Sequence, residues 1–109
     1  EDLARWGKAL YEGRAFDAAL LSEMLDGVPA RLGPNTRYGL GVIIRETPLG
    51  SVWGHSGFFP GYLAELLYLP DAKVAVAFQV NTSVSRTLGR SAARVAMDVA
   101  ERVVSEVNR

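Results

Sequence analysis

Apolar residues near the start of the chain recur with a helical period, as shown by Leu3, Trp6 and Leu10. The i, i+3, i+7 spacing predicts a helix over Asp2–Glu12. A second short apolar face spans Ala18–Leu25, and Asp17 stands where an N-terminal cap belongs. The pattern therefore predicts a pair of helices at the beginning of the chain.

The middle of the chain changes to strand-like patterns. A cluster of Pro, Gly and Asn predicts a loop over Val28–Arg37, and a Gly-rich step separates His55 from Tyr62. Around these lie the predicted strands, namely Tyr38–Arg45, Ser51–His55, Tyr62–Leu69 and Lys73–Val80. They predict an antiparallel meander of about four strands, the last of which is apolar on both faces and needs a covering layer on each side.

The pattern of apolar residues at the end of the chain predicts a long amphipathic helix that begins at Ser85. Its expected buried face consists of Leu88, Ala92, Val95, Val99, Val103 and Val107. Arg94 and Asp98, on the opposite face, are spaced as an i, i+4 ion pair. With no linker or repeat, residues 1–109 are a single segment of class α+β: helix pair, meander, helix.

Composition excludes several classes of function. Twelve basic and twelve acidic residues give a net charge of zero, which argues against a nucleic-acid partner or an anionic membrane surface. The chain has no Cys and one His, so neither disulfides nor a Cys and His zinc site is available, and no metal or cofactor is expected. No apolar run is long enough to cross a bilayer. The chain opens inside a helix without Met, which leads us to expect that a segment precedes it.

Candidate chemistry concentrates in Trp53–Tyr62, which holds three glycines, four aromatic residues and the one His. Such a segment suits a strand edge that faces a ligand, and equally a tight turn in which His55 caps a carbonyl. His55 and Ser56 are adjacent, so on a strand they point to opposite faces and cannot form a base and nucleophile pair. Three arginines are expected to be solvated charges: Arg37, Arg45 and Arg86.

The His55-Ser56-Gly57 tripeptide, followed by Pro60-Gly61, Pro70-Asp71 and Asn81-Thr82, resembles the C-terminal part of serine β-lactamase-like and penicillin-binding-protein-like hydrolases. The similarity is greatest to the branch of class C β-lactamases, D-alanyl-D-alanine carboxypeptidases, D-aminopeptidases and related esterases. It implies that the chain is the C-terminal part of a larger β-lactamase-like α/β sandwich.

The resemblance also implies roles for individual residues. His55 would supply a hydrogen-bond donor or positive potential in the cleft, and Ser56 a hydroxyl for a substrate carboxylate. Gly57 would let the substrate backbone lie close, and the backbone N–H of Phe58 would donate to an oxyanion.

Two aromatic residues, Phe59 and Tyr62, would shape the mouth of the cleft. The other reading makes them packing residues beneath a Gly-rich turn, and the pattern favours neither.

The other motifs of these hydrolases, SxxK with the nucleophilic Ser and YxN, do not occur in the 109 residues. The resemblance implies that they lie upstream and that this chain alone is inactive toward a small-molecule or peptide substrate. Its partner would be the missing N-terminal half of the domain, or a second copy covering the same exposed face. The alternative is a non-catalytic binding or interaction module. The compartment stays open between an extracytoplasmic bacterial enzyme and a cytoplasmic esterase.

Overall fold

A computed structural model describes residues 1–109 and places six strands in one antiparallel sheet, in the order of the chain. The strands are β1 (Val28–Pro29), β2 (Thr36–Tyr38), β3 (Ile43–Thr47), β4 (Gly50–Phe59), β5 (Tyr62–Leu69) and β6 (Val74–Val80). The α+β class and the meander are confirmed, with two strands more than expected. The additional strands lie at the ends of the predicted loop, where the Pro and Gly cluster forms only the turn between them.

The strand predicted over Tyr38–Arg45 is interrupted. Gly41 has a φ of +70°, a left-handed conformation that glycine adopts without strain, and Leu40 beside it is exposed. The Gly39 amide donates to the carbonyl of Val42 at 2.8 Å and closes the turn. The chain therefore reverses here and lays β2 against β3.

The predicted helix pair is confirmed as α1 (Asp2–Tyr11) and α2 (Leu21–Leu25), the latter preceded by a 3₁₀ turn at Ala18–Leu20. Asp17 caps this turn, since its Oδ1 accepts from the Ala19 amide at 3.0 Å. The two helices cover one face of the sheet, where they pack around Tyr11, Val42, Ile44 and Tyr68.

The C-terminal helix, α3 (Ala92–Val107), begins later than predicted. A separate 3₁₀ turn at Ser85–Leu88 ends at Gly89, and the Ser91 hydroxyl then caps α3 by accepting from the Arg94 amide at 3.2 Å. The expected ion pair is present, with Arg94 Nε 2.9 Å from Asp98 Oδ1. The helix is too short and too polar to span a membrane, and so are the other two.

Of the face of α3 that was predicted to be buried, only Ala92 is buried. Three alanines, Ala92, Ala96 and Ala100, face the sheet, and the last two pack with Val52, Leu67, Leu69 and Val76. The expected valines Val99, Val103 and Val107 are exposed. Both sets recur every four residues, but the small alanines let the helix approach the sheet closely.

Candidate functional site

Strand β4 changes its neighbours halfway along its length. It pairs with β3 only from Gly50 to Gly54, but with β5 from Trp53 to Phe59. The segment His55–Phe59 therefore has a partner on one side and a free edge on the other. The predicted Gly-rich step is wrong, because the strand runs through it and the chain turns only at Pro60-Gly61.

The register determines which backbone groups face the free edge. Pro60 and Gly61 form a two-residue hairpin loop, so the closing pair Phe59 and Tyr62 exchanges hydrogen bonds. Bonding alternates along an antiparallel pair, which places the N–H and C=O of Ser56 and Phe58 on the free edge. The Phe58 N–H thus faces outward, toward any group that lies along this half of β4.

His55 is exposed, yet both of its ring nitrogens have partners within the chain. Nδ1 lies 2.7 Å from the Ser56 carbonyl oxygen, which can only accept, so Nδ1 donates. Nε2 lies 2.8 Å from the Tyr38 hydroxyl, which donates to it when the ring is neutral. The ring therefore ties the end of β2 to the free edge of β4. Sequence reasoning did not single out Tyr38, and no spacing rule links it to His55.

Ser56 lies on the opposite face of β4, above a buried ion pair. Its Oγ accepts from Arg45 Nη2 at 3.1 Å, and Arg45 Nη2 lies 3.8 Å from Glu65 Oε2. Glu65 is directly opposite Ser56 on β5 and is 4% exposed. The expectation of a solvated Arg45 is wrong, because β3 turns this side chain toward the face that α3 covers. A lone Glu in the otherwise apolar β5 was the sequence signal for a buried partner.

The environment of the Glu65 carboxyl pulls its pKa in two directions. Burial raises the pKa above its usual value, whereas hydrogen bonding with Ser56 and the charges of Arg45 and His55 oppose the rise. Two buried atoms, Arg45 Nη1 and Glu65 Oε2, have no hydrogen-bond partner. The pair is thus buried with incomplete hydrogen bonding inside the chain, so its charges act at short range on any group that lies against Ser56.

These side chains line one cleft of about 570 Å³ beside the free edge of β4. Its lining consists of Ala30, Arg31, Leu32, Tyr38, Ile43, Arg45, His55 and Ser56. Of the residues predicted for a site, it includes His55 and Ser56. Phe59 and Tyr62 lie outside it, exposed at the hairpin tip rather than packed. No three His, Asp or Glu side chains come together as ligands for a metal ion.

The two glycines flanking His55 and Ser56, Gly54 and Gly57, differ in whether the fold leaves room for a side chain. A Cβ at Gly54 would lie 1.8 Å from the Leu66 carbonyl oxygen, so the close approach of β4 and β5 requires glycine there. A Cβ at Gly57 would contact only Ala64, whose own Cβ would lie 3.4 Å away, which is an ordinary contact distance. The fold therefore does not itself demand glycine at position 57.

The chain matches known proteins over most of its length. The Beta-lactamase family model matches residues 1–101. A D-stereospecific amidohydrolase from Streptomyces sp. is 30% identical with a TM-score of 0.66, over 78% of this chain and 26% of its own. None of the curated proteins matches.

A second solved enzyme, a D-amino acid amidase from Ochrobactrum anthropi SV3, matches in two structures. Complexed with L-phenylalanine it has 20% identity and a TM-score of 0.75, over 99% of this chain and 32% of its own. Complexed with D-phenylalanine it has 26% identity and a TM-score of 0.61, over 73% of this chain and 28% of its own. The chain thus spans between a quarter and a third of the length of these structures. On the family match, with the fold that these enzymes share, the chain belongs to the Beta-lactamase family.

Proposed function

We propose that residues 1–109 form one wall of the acyl-transfer cleft of a serine hydrolase, whose nucleophile lies in a longer polypeptide. The free edge of β4 carries this proposal, because it presents the Phe58 N–H beside a cleft lined by His55 and Ser56. Family membership and two similar enzymes, named as an amidohydrolase and an amidase, support the same reaction class.

The proposed chemistry uses the strand edge to stabilise developing charge. The nucleophilic serine of the longer protein attacks the substrate carbonyl, whose oxygen gains negative charge. The Phe58 N–H donates to that oxygen, and a donor near the nucleophile completes the pair. When the acyl-enzyme forms, the bond from the carbonyl carbon to the leaving group breaks, and water later releases the acid. Loss of one such donor typically slows the reaction by about 10² to 10³-fold.

The remaining residues bind and orient the substrate. His55 sets the position of the edge and contributes a polar ring, Ser56 contributes a hydroxyl at the floor of the cleft, and Gly57 leaves room for the substrate backbone. Phe59 and Tyr62, at the exposed hairpin tip, form the rim of the completed cleft. The names of the similar enzymes favour amides of D-amino acids as substrates, with β-lactams, D-peptides and esters as the wider class.

The partner in this proposal is the rest of the same domain. The exposed valines Val99, Val103 and Val107 leave an apolar stripe on α3, and β6 offers one unpaired edge without a charged residue. Such surfaces favour burial against another element. A second copy of the chain would cover the same surfaces, which sedimentation of the 109-residue chain would detect as a discrete dimer.

The test is acylation of the longer protein by a fluorophosphonate or penicillin-like probe. We expect covalent labelling at a serine outside these 109 residues and no labelling of the chain alone. His55→Ala should slow acylation by about 10²-fold while the melting temperature stays within a few degrees. Arg37→Ala, an exposed change on β2 beside Tyr38, is the matched control and should acylate normally. Normal acylation of His55→Ala would overturn the role of His55, and absence of labelling would favour the binding-module reading.

A further inference from the structure

The ion pair between Arg45 and Glu65 is unlike the other ion pairs of the chain. Its side chains are 14% and 5% exposed, whereas every other pair includes a side chain at least 41% exposed. It lies at the cleft floor, where Arg45 contacts Ser56 and Glu65 stands directly across the β4–β5 ladder from it. Surface pairs are worth little, but a buried pair determines the charge of the site around it.

The hydrogen bonds at Ser56 leave its proton one good acceptor. Its Oγ already accepts from Arg45 Nη2 at 3.1 Å, so the hydroxyl proton points elsewhere. The Glu65 carboxylate stands across the ladder from Ser56, and its buried Oε2 has no hydrogen-bond partner. An anion that approaches the Ser56 hydroxyl therefore competes with the Glu65 carboxylate, which faces Ser56 from β5.

The charges at the floor also cancel. Arg45 is the cation in contact with Ser56, and Glu65 neutralises it, while Arg31 is exposed at the rim. A substrate carboxylate placed against Ser56 would meet the negative charge of Glu65 without gaining an unpaired cation. A neutral amide or ester group meets no such penalty.

Resting on the proposed function, we propose that Glu65 is a specificity-determining residue. By pairing with Arg45 directly across the ladder from Ser56, it makes the cleft select substrates that are uncharged on the leaving side of the scissile bond. Amides and simple esters are then preferred over peptides that end in a free carboxylate. This replaces the expectation that Ser56 binds a substrate carboxylate.

The test compares two substrates of the longer protein, a D-aminoacyl amide and a D-aminoacyl peptide with a free carboxylate. Glu65→Gln leaves Arg45 positive and unpaired, so the ratio of kcat/KM for the carboxylate substrate over the amide should rise at least about tenfold. Glu46→Gln makes the same chemical change at an exposed residue of β3 and should leave the ratio unchanged. A folded Glu65→Gln protein with the wild-type ratio would overturn the proposal.

Two further variants decide the matter if Glu65→Gln does not fold. Arg45→Gln leaves the negative charge alone and should lower the same ratio. The double change of Arg45 and Glu65 to Gln restores neutrality and should return the ratio to within about threefold of wild type. If neither variant follows this order, charge at the cleft floor does not set specificity.

Failure of the proposed function and failure of the role of Glu65 give different results. If the longer protein takes no acyl probe and cleaves neither substrate, the proposed function fails. Acetate binding then tests Glu65 by itself, followed through the ring signals of His55, which are assigned by their loss in His55→Ala. Glu65→Gln should show a saturable shift with acetate that wild type lacks. Equal responses of the two proteins would overturn the role of Glu65 without reference to catalysis.

Discussion

The two halves of strand β4 belong to one continuous strand but have different surroundings. Gly50–Gly54 pairs with β3 along its whole length and also with β5 at Trp53 and Gly54, and Val52 at its centre is completely buried. His55–Phe59 pairs with β5 alone, and Phe58 is 70% exposed. The first half is paired with β3 at every residue, whereas in the second half the N–H groups of Ser56 and Phe58 and the C=O of Phe58 face an edge that no strand covers. A strand edge is left unpaired where its neighbour ends.

The end of β3 is what creates this difference. β3 has five residues and β4 has ten, because the chain turns away at Gly41 to form β2. The turn brings Tyr38 back to the edge that β3 leaves open, where its hydroxyl meets His55. The same turn therefore frees the edge and supplies the side chain that lines it.

Adding one methyl group to each half of β4 tests the difference between them with the largest expected effect. Gly54→Ala places a Cβ 1.8 Å from the Leu66 carbonyl oxygen, and backbone cannot move aside cheaply. We expect a loss of at least about 4 kcal/mol in the free energy of unfolding, or no folded protein. Gly57→Ala places its Cβ 3.4 Å from the Ala64 Cβ and should change stability by less than about 0.5 kcal/mol.

Urea unfolding followed by circular dichroism measures both variants. Gly57→Ala serves as the matched control, since it makes the same substitution on the same strand. Equal losses in the two variants would contradict the difference between the halves. In the longer protein, Gly57→Ala should still weaken turnover, because the added methyl group occupies space proposed for the substrate backbone.

Alkaline titration tests the aromatic cluster beneath the first half of β4. Tyr11 contacts Trp53 edge-on at 6.0 Å and stacks on Tyr68 at 5.7 Å between ring centroids. Burial raises the pKa of Tyr11 to about 12, and the pKa of Tyr68 is likewise about 12. The folded chain therefore keeps these protons between pH 10 and pH 12, where the unfolded chain releases them.

Because the unfolded state binds fewer protons in this range, stability falls as the pH rises. The contribution is complete below about pH 10, and for Tyr11 alone the loss by about pH 12 is on the order of 2 to 3 kcal/mol. Urea unfolding at about pH 9.5 and 11.5 measures it. Tyr11→Phe keeps the ring and removes the titrating group, so its stability should fall less. An unchanged slope in Tyr11→Phe would show that Tyr11 ionises freely in the folded chain.

The sequence located His55 and Ser56 but not the residues that surround them. Tyr38, Arg45 and Glu65 are cross-strand partners, and their positions depend on register, which depends on where each hairpin turns. Because the turn at Gly41 was not predicted, Tyr38 was placed inside one continuous strand and Arg45 was expected to be solvated. Local patterns identify strands well, but pairs across strands need the turn positions first.

Helix α3 shows a different limit of periodicity. Its alanine stripe and its valine stripe both recur every four residues, and hydrophobicity alone favours the valines. Packing selected the alanines, since small side chains allow the helix to lie close to Val52 and Leu67. The valines are left exposed, an outcome that the periodicity of the helix by itself does not reveal.

The smallest expected effect concerns the link between Tyr38 and the second half of β4. Tyr38→Phe removes the hydroxyl that lies 2.8 Å from His55 Nε2 but leaves Nδ1 bonded to the Ser56 carbonyl. We expect a loss of about 1 kcal/mol in the free energy of unfolding. The Nε2 resonance should move, whereas Nδ1 should stay protonated. As His55 is the one histidine, its ring signals in nitrogen NMR spectra of the chain need no assignment.

Tyr62→Phe is the control, because that hydroxyl belongs to an exposed residue at the hairpin tip and its removal should leave the His55 ring signals unchanged. Identical Nε2 resonances in wild type and Tyr38→Phe would mean that the two rings do not bond. The free edge would then be held by the β5 ladder alone. A shift confined to Tyr38→Phe would instead show that the end of β2 holds the imidazole, so that the strand edge and the cleft lining move as one unit. In that case changes at Gly41, which set where β2 lies, should alter the His55 signals as well.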